Sequence, residues 1–115
     1  MIDGKLDDTV WRQAEPTAAF ARFDDKRDDG ASLRTTAKMA WDDDALYVAR
    51  DCEDPDVWSA ITQRDGNLWE GEVVEVYVDP EGDGKQYKEI ELSPINNVVD
   101  LDIPLSIDGA PQGVE

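Results

Sequence analysis

An all-β fold, an antiparallel β-sandwich of jelly-roll or immunoglobulin-like type, follows from three observations. Apolar and polar residues alternate over short runs near 35–41, 73–79, 87–93 and 98–103, the period of strands with one covered face. Clusters of Asp, Gly and Pro separate those runs, and these are the residues that turn a chain. Helical spacing is confined to two brief stretches, one near 9–14 and one after Pro55. The pattern amounts to about four to six short strands in a single domain spanning 1–115.

The elements follow in order. Asp3-Gly4 marks a turn, and Thr9 to Ala14 a single helical turn with Asp8 at its N-cap, ended by Pro16. Residues 24–30, DDKRDDG, read as a polar loop. From Thr35, the residues Ala37, Met39 and Trp41 face one way and Thr36 and Lys38 the other. Asp42-Asp43-Asp44 forms a turn, because short Asp side chains hydrogen-bond their own backbone. Residues 45–49, ALYVA, are apolar on both faces and predict a central strand covered on both sides. Asp54-Pro55 predicts an N-cap and first residue of a short helix through Val57 and Ile61, broken at Asp65-Gly66.

The most informative segment is LWEGEVVEVYVD, residues 68–79. Strand alternation places Val74, Val76 and Val78 on one face, predicted to be core, and Val73, Glu75, Tyr77 and Asp79 on the other. The run YKEIELS puts Ile90 and Leu92 opposite Tyr87, Glu89 and Glu91, with PEGDG between the two runs as a hairpin turn. An antiparallel pair results, with an apolar inner face and a second face carrying Glu75, Tyr77, Tyr87, Glu89 and Glu91. A solvated sheet surface is the plain reading of that second face. An aromatic beside carboxylates also suits a sugar ring. In the last run, Val99, Leu101 and Ile103 alternate with Val98, Asp100 and Asp102, and beyond Pro104 the pattern is lost, so 104–115 reads as an irregular tail. Because the pattern stops just after a strand, the domain is expected to be incomplete at its C-terminus.

Composition excludes several classes of function. With 115 residues the chain can bury roughly 60–70% of its unfolded surface. Twenty-eight acids against eleven bases give a net charge of −17, which repels phosphate backbones and anionic lipids and argues against nucleic-acid and membrane partners. The chain contains no histidine, which removes the usual general base and most transition-metal sites. A lone Cys52 forms no intrachain disulfide. No apolar run approaches a membrane span, and no signal peptide is read at the N-terminus.

Three separated motifs, IDGKLDDTVW, KMAWDDDALYVARDCEDPDVW and LWEGEVVEVYVDPEGDGKQYKEIELSP, occur in an order that resembles the family 9 carbohydrate-binding modules of xylanases and other glycoside hydrolases. The likeness covers about residues 2–103, with an unmatched loop near 15–34. It implies a non-catalytic β-sandwich that grips the end of a polysaccharide or oligosaccharide of xylan or cellulose type between two tryptophans. It also implies a covalently linked catalytic domain and a parent that is extracellular, periplasmic or on the cell surface. Carried over residue by residue, Trp69 takes the place of one stacking tryptophan and Glu75 that of a hydroxyl-binding acid. Tyr77 lies beside Glu75 on the same face. Glu91 stands where the family can carry a basic side chain. The second stacking tryptophan belongs to a C-terminal region with no counterpart here. No cofactor is required by this reading, and a structural calcium is compatible with the clustered carboxylates and with calcium-containing members of the family.

Alternative readings are weighed on the same residues. Trp11 and Trp41 are expected in the core, and Trp58 fits either role. Asp79, Glu81, Asp83 and Gly84 imitate an EF-hand, but position twelve, where the bidentate glutamate belongs, is Ile90. Glu75, Glu89 and Glu91 could form a glycosidase pair only with one carboxyl held protonated. A haem-binding redox carrier would need an axial ligand, and only Met1 and Met39 are available. A structural interaction domain would bind no glycan.

Overall fold

The computed structural model describes residues 2–21 and 33–104; the loop at 24–30 and the tail from 105 lie outside them. The chain divides into two compact units, Met1–Pro55 and Asp56–Glu115. Five strands in two antiparallel sheets, with little helix, give the all-β class that the alternation predicts.

In the first unit, helix α1 (Thr9–Gln13) precedes β1 (Thr35–Trp41) and β2 (Leu46–Cys52). Asp8 caps α1 through its carbonyl, which accepts the amides of Trp11 and Arg12. Trp11 is half-buried, and its carbonyl accepts a 2.6 Å bond from Lys38 Nζ on β1. Strands β1 and β2 pair from Thr35↔Cys52 to Trp41↔Leu46. The turn between them is the one the aspartates predict. Asp42 Oδ1 accepts the amides of Asp44 and Ala45 at 2.9 Å, and Tyr47 donates to Oδ2 at 3.0 Å. These bonds, the Asp44 amide first, hold the Asp42 carboxyl below its ordinary range.

Two expectations fail in this unit. Met39 and Trp41 are exposed, Trp41 by 78%, whereas Thr36 and Ala37 are buried. The cause is lateral cover. Residues 17–20 run beside the start of β1, with Thr17 bonded to Ala37 and Phe20 to Thr35, so burial concentrates at that end and fades toward Trp41. Strand β2 is likewise not central. Among the described residues it pairs with β1 alone, and Leu46 is exposed.

The second unit begins with irregular chain where a helix was expected, since residues 54–64 form no helix. Tertiary bonds outweigh the helical spacing there. The Asn97 side-chain Nδ2 donates to the carbonyls of Ile61 and Gln63, and the Asp65 backbone amide to the carbonyl of Val98. A 3-10 turn, Leu68–Glu70, packs against the sheet and buries Leu68. The sheet has the order β3 (Val74–Val78), β4 (Tyr87–Leu92), β5 (Val98–Ile103). Between β3 and β4, both carboxylate oxygens of Asp79 accept backbone amides, from Gly82 and Gly84. Both glycines have positive φ, 68° and 75°, which a side chain would strain. Asp79 therefore shapes the hairpin loop.

Register decides which residues share a face. Glu75 pairs with Glu91 and Tyr77 with Glu89; across β4, Glu91 pairs with Val99, Glu89 with Leu101 and Tyr87 with Ile103. The acid-bearing face thus continues onto the apolar side of β5. Val99, Ile103 and Glu91 are buried there, while Ile90 and Leu92 on the valine face are about two-fifths exposed. The predicted core face of the hairpin is the less covered one. Excluding Ile90 from the core leaves the EF-hand reading no better, because an isoleucine still offers no oxygen ligand.

Candidate functional site

The site grows from the parity of β3 and β4. Alternation brings Glu75 and Tyr77 of β3 and Tyr87, Glu89 and Glu91 of β4 onto one face, and the register sets Tyr77 beside Glu89. The Tyr77 hydroxyl lies 2.8 Å from Glu75 Oε2 and 2.9 Å from Glu89 Oε1. It bridges the two acids and donates its proton to one at a time. Burial of the hydroxyl first, then its bonds to Glu75 and Glu89, push its pKa far up, so the phenol remains a donor. Its ring leans on Tyr87, centroids 5.9 Å apart and planes tilted by 59°, a favourable aromatic geometry.

Glu91 closes the cluster from beneath. It is 2% exposed, and its Oε2 makes no hydrogen bond. Burial first, then the charges of Glu75 and Glu89, push its carboxyl up to about 7. Glu75, Glu89 and Glu91 each offer an oxygen within 4.8 Å of the others. The raised carboxyl is the condition an acid catalyst would need, yet Glu91 is sealed from solvent and cannot protonate a leaving group on a polymer.

Trp69 sits on the 3-10 turn ahead of β3, and its residue is 52% exposed. Its neighbours in sequence explain that placement. Leu68 is drawn into the sheet, which turns the next side chain outward. Trp58 is also exposed, and its amide is bonded to Glu72 at 2.9 Å. Of the four residues singled out from the sequence for sugar binding, the structure brings Glu75, Tyr77 and Glu91 onto one sheet face and sets Trp69 exposed on the turn ahead of β3. Glu89, weighed from the sequence only as a carboxylate of a glycosidase pair, and Tyr87 were not assigned to sugar binding, although their alternation with Glu91 put them on this face. Knowledge of the Tyr77↔Glu89 register was needed to see the cluster.

Antiparallel β-structure thus carries an exposed indole and an acid-lined sheet face. The chain belongs to the carbohydrate family 9 binding domain-like family, whose model matches residues 2–94. That family is one of non-catalytic modules. The chain is 38% identical over 89 residues to exoglucanase XynX of Acetivibrio thermocellus and 37% identical over 89 residues to endo-1,4-beta-xylanase A of Thermoanaerobacterium saccharolyticum. Each match covers 77% of this chain and 7% of the relative, so the chain spans less than a tenth of their length. No solved structure matches significantly.

Proposed function

We propose that this chain is a non-catalytic module that holds a polysaccharide-degrading parent enzyme on its substrate, of xylan or cellulose type. Family membership together with an exposed Trp69 carries the reading. The indole offers a flat apolar platform for a pyranose ring, and stacking there removes apolar surface from water. Glu75 and Glu89 accept hydrogen bonds from sugar hydroxyls. Tyr77, 56% exposed, adds ring surface and fixes both acids. Glu91 is buried and acts behind the contact surface, not as a direct partner. The parent works outside the cell or at its surface, because such polymers do not enter it.

Calorimetry with soluble xylo- and cello-oligosaccharides tests this. Trp69→Ala is expected to weaken binding about tenfold or more, with the far-ultraviolet circular dichroism unchanged. An unchanged affinity would remove Trp69 from the site. Release of reducing sugar by the isolated chain would overturn the non-catalytic reading.

A further inference from the structure

Trp58 is an exposed aromatic that the roles of Trp69 and the acid face leave unused. It lies on the irregular chain at the start of the second unit, next to an exposed Val57. Single apolar residues at a surface are ordinary, whereas neighbouring ones mark a contact surface. The place of Trp58 is fixed from the Trp69 side. Its backbone amide donates to Glu72 Oε2 at 2.9 Å, and the stretch of chain from Trp69 to Glu72 spans at most about 11 Å. The residues that follow Trp58 stay close to the same turn. A Cβ on Gly71 would stand 3.8 Å from Ile61 Cδ1, and one on Gly66 3.0 Å from Ile61 Cγ2. The Asn97 side chain holds the carbonyls of Ile61 and Gln63. Two half-exposed indoles thus stand on neighbouring segments of one unit.

We propose that Trp58 is a second sugar-stacking platform, which takes a further unit of the glycan chain that Trp69 holds. The proposal rests on the sugar reading of Trp69. A pyranose ring has an apolar face, and an indole covers it by removing that surface from water. Such stacking needs no charge on the ligand, so it proceeds on a chain of net charge −17, where an anionic partner would be repelled. Glu72 is a positioning residue: its carboxylate holds the Trp58 amide. A segment held before the ligand arrives costs less to order on binding. Trp58 precedes Trp69 in the sequence, so it is not the second tryptophan that the family resemblance places in a C-terminal region. It lengthens the site along the glycan.

Calorimetry with a disaccharide and a hexasaccharide of xylan and cellulose type tests the proposal. Only the longer ligand reaches both indoles, so wild-type affinity should rise about tenfold from disaccharide to hexasaccharide. Trp58→Ala should remove that gain and leave disaccharide affinity unchanged, whereas Trp69→Ala should weaken both. Glu72→Ala should lose most of the gain, and Glu72→Gln, which keeps a side-chain acceptor, should retain it. Far-ultraviolet circular dichroism checks the fold of each variant, and if Trp58→Ala does not fold, the Glu72 pair decides. A gain that is absent from the wild-type chain, or that survives in the deciding variant, would overturn the proposal and leave the Trp69 reading intact. A wild-type chain that binds neither ligand would overturn both.

Discussion

The two faces of the β3–β4–β5 sheet carry opposite kinds of residue and reverse their expected roles. The valine face, with Val74, Val76, Val78, Ile90 and Leu92, has the clean alternation of a core, yet Ile90 is 41% exposed. The acid face carries Glu75, Glu89 and Glu91, yet it holds the buried Val99 and Ile103. The difference teaches that a strand's own alternation fixes which residues travel together but not which set is covered. Here the third strand decides. Strand β5 presents Val99, Leu101 and Ile103 on the acid side and Val98, Asp100 and Asp102 on the valine side, so Glu91 is carried inward beside Val99.

A matched pair of substitutions tests that reversal most severely. Ile103→Ala, on the acid face, should cost about 2–5 kcal/mol of unfolding free energy, the usual range for emptying a buried isoleucine site. Ile90→Ala on the valine face should cost less than half as much, because much of that side chain already meets water. Urea denaturation of both variants measures the difference, and a larger loss at Ile90 would restore the valine face as the covered one.

Glu91 gives the next largest effect, through pH. Its carboxyl is pushed from 4.5 up to about 7, so the folded chain holds a proton that the unfolded chain has released. The stability this provides is fully present below about pH 4.5 and is lost as pH rises through about 7. Glu75 from β3 and Glu89 from β4 face the group, Val99 of β5 adds no charge, and the Tyr77 phenol stays protonated. Glu91→Gln should therefore flatten the decline and stabilise the chain near pH 8 by on the order of 2 kcal/mol. Denaturation at about pH 5 and pH 8 reads this out; the same decline in the variant would assign it elsewhere.

Tyr77→Phe is the smallest test. Losing the bridge between Glu75 and Glu89 should cost about 1 kcal/mol, since the acids then repel without a shared donor and the exposed ring still packs on Tyr87. An effect near zero would mean that the bridge does not hold the acid face together.

Much of the candidate site was legible in the residues. Period-two alternation placed Glu75, Tyr77, Glu89 and Glu91 on a common face, whereas the burial of Leu68 beside an exposed Trp69 came from the structure. The Asp42 and Asp79 turns were legible for the same kind of reason, since an aspartate bonding the backbone a few residues on is a local event. The misses were non-local. Met39 and Trp41 share a face with Ala37 as alternation requires, but residues 17–20 cover only the Ala37 end. The helix expected after Pro55 gives way to bonds from Asn97, more than thirty positions further along the sequence.

By itself, the sequence determined the all-β class, the parity of each strand, the tight turns and the resemblance to family 9 carbohydrate-binding modules, because each rests on spacing within a few residues or on motif order. Only the tertiary structure decided that Glu91 is buried against Val99 and brought within reach of Glu75 and Glu89. That outcome depends on the register between strands and on which face receives cover, and neither is encoded in the period of any single strand.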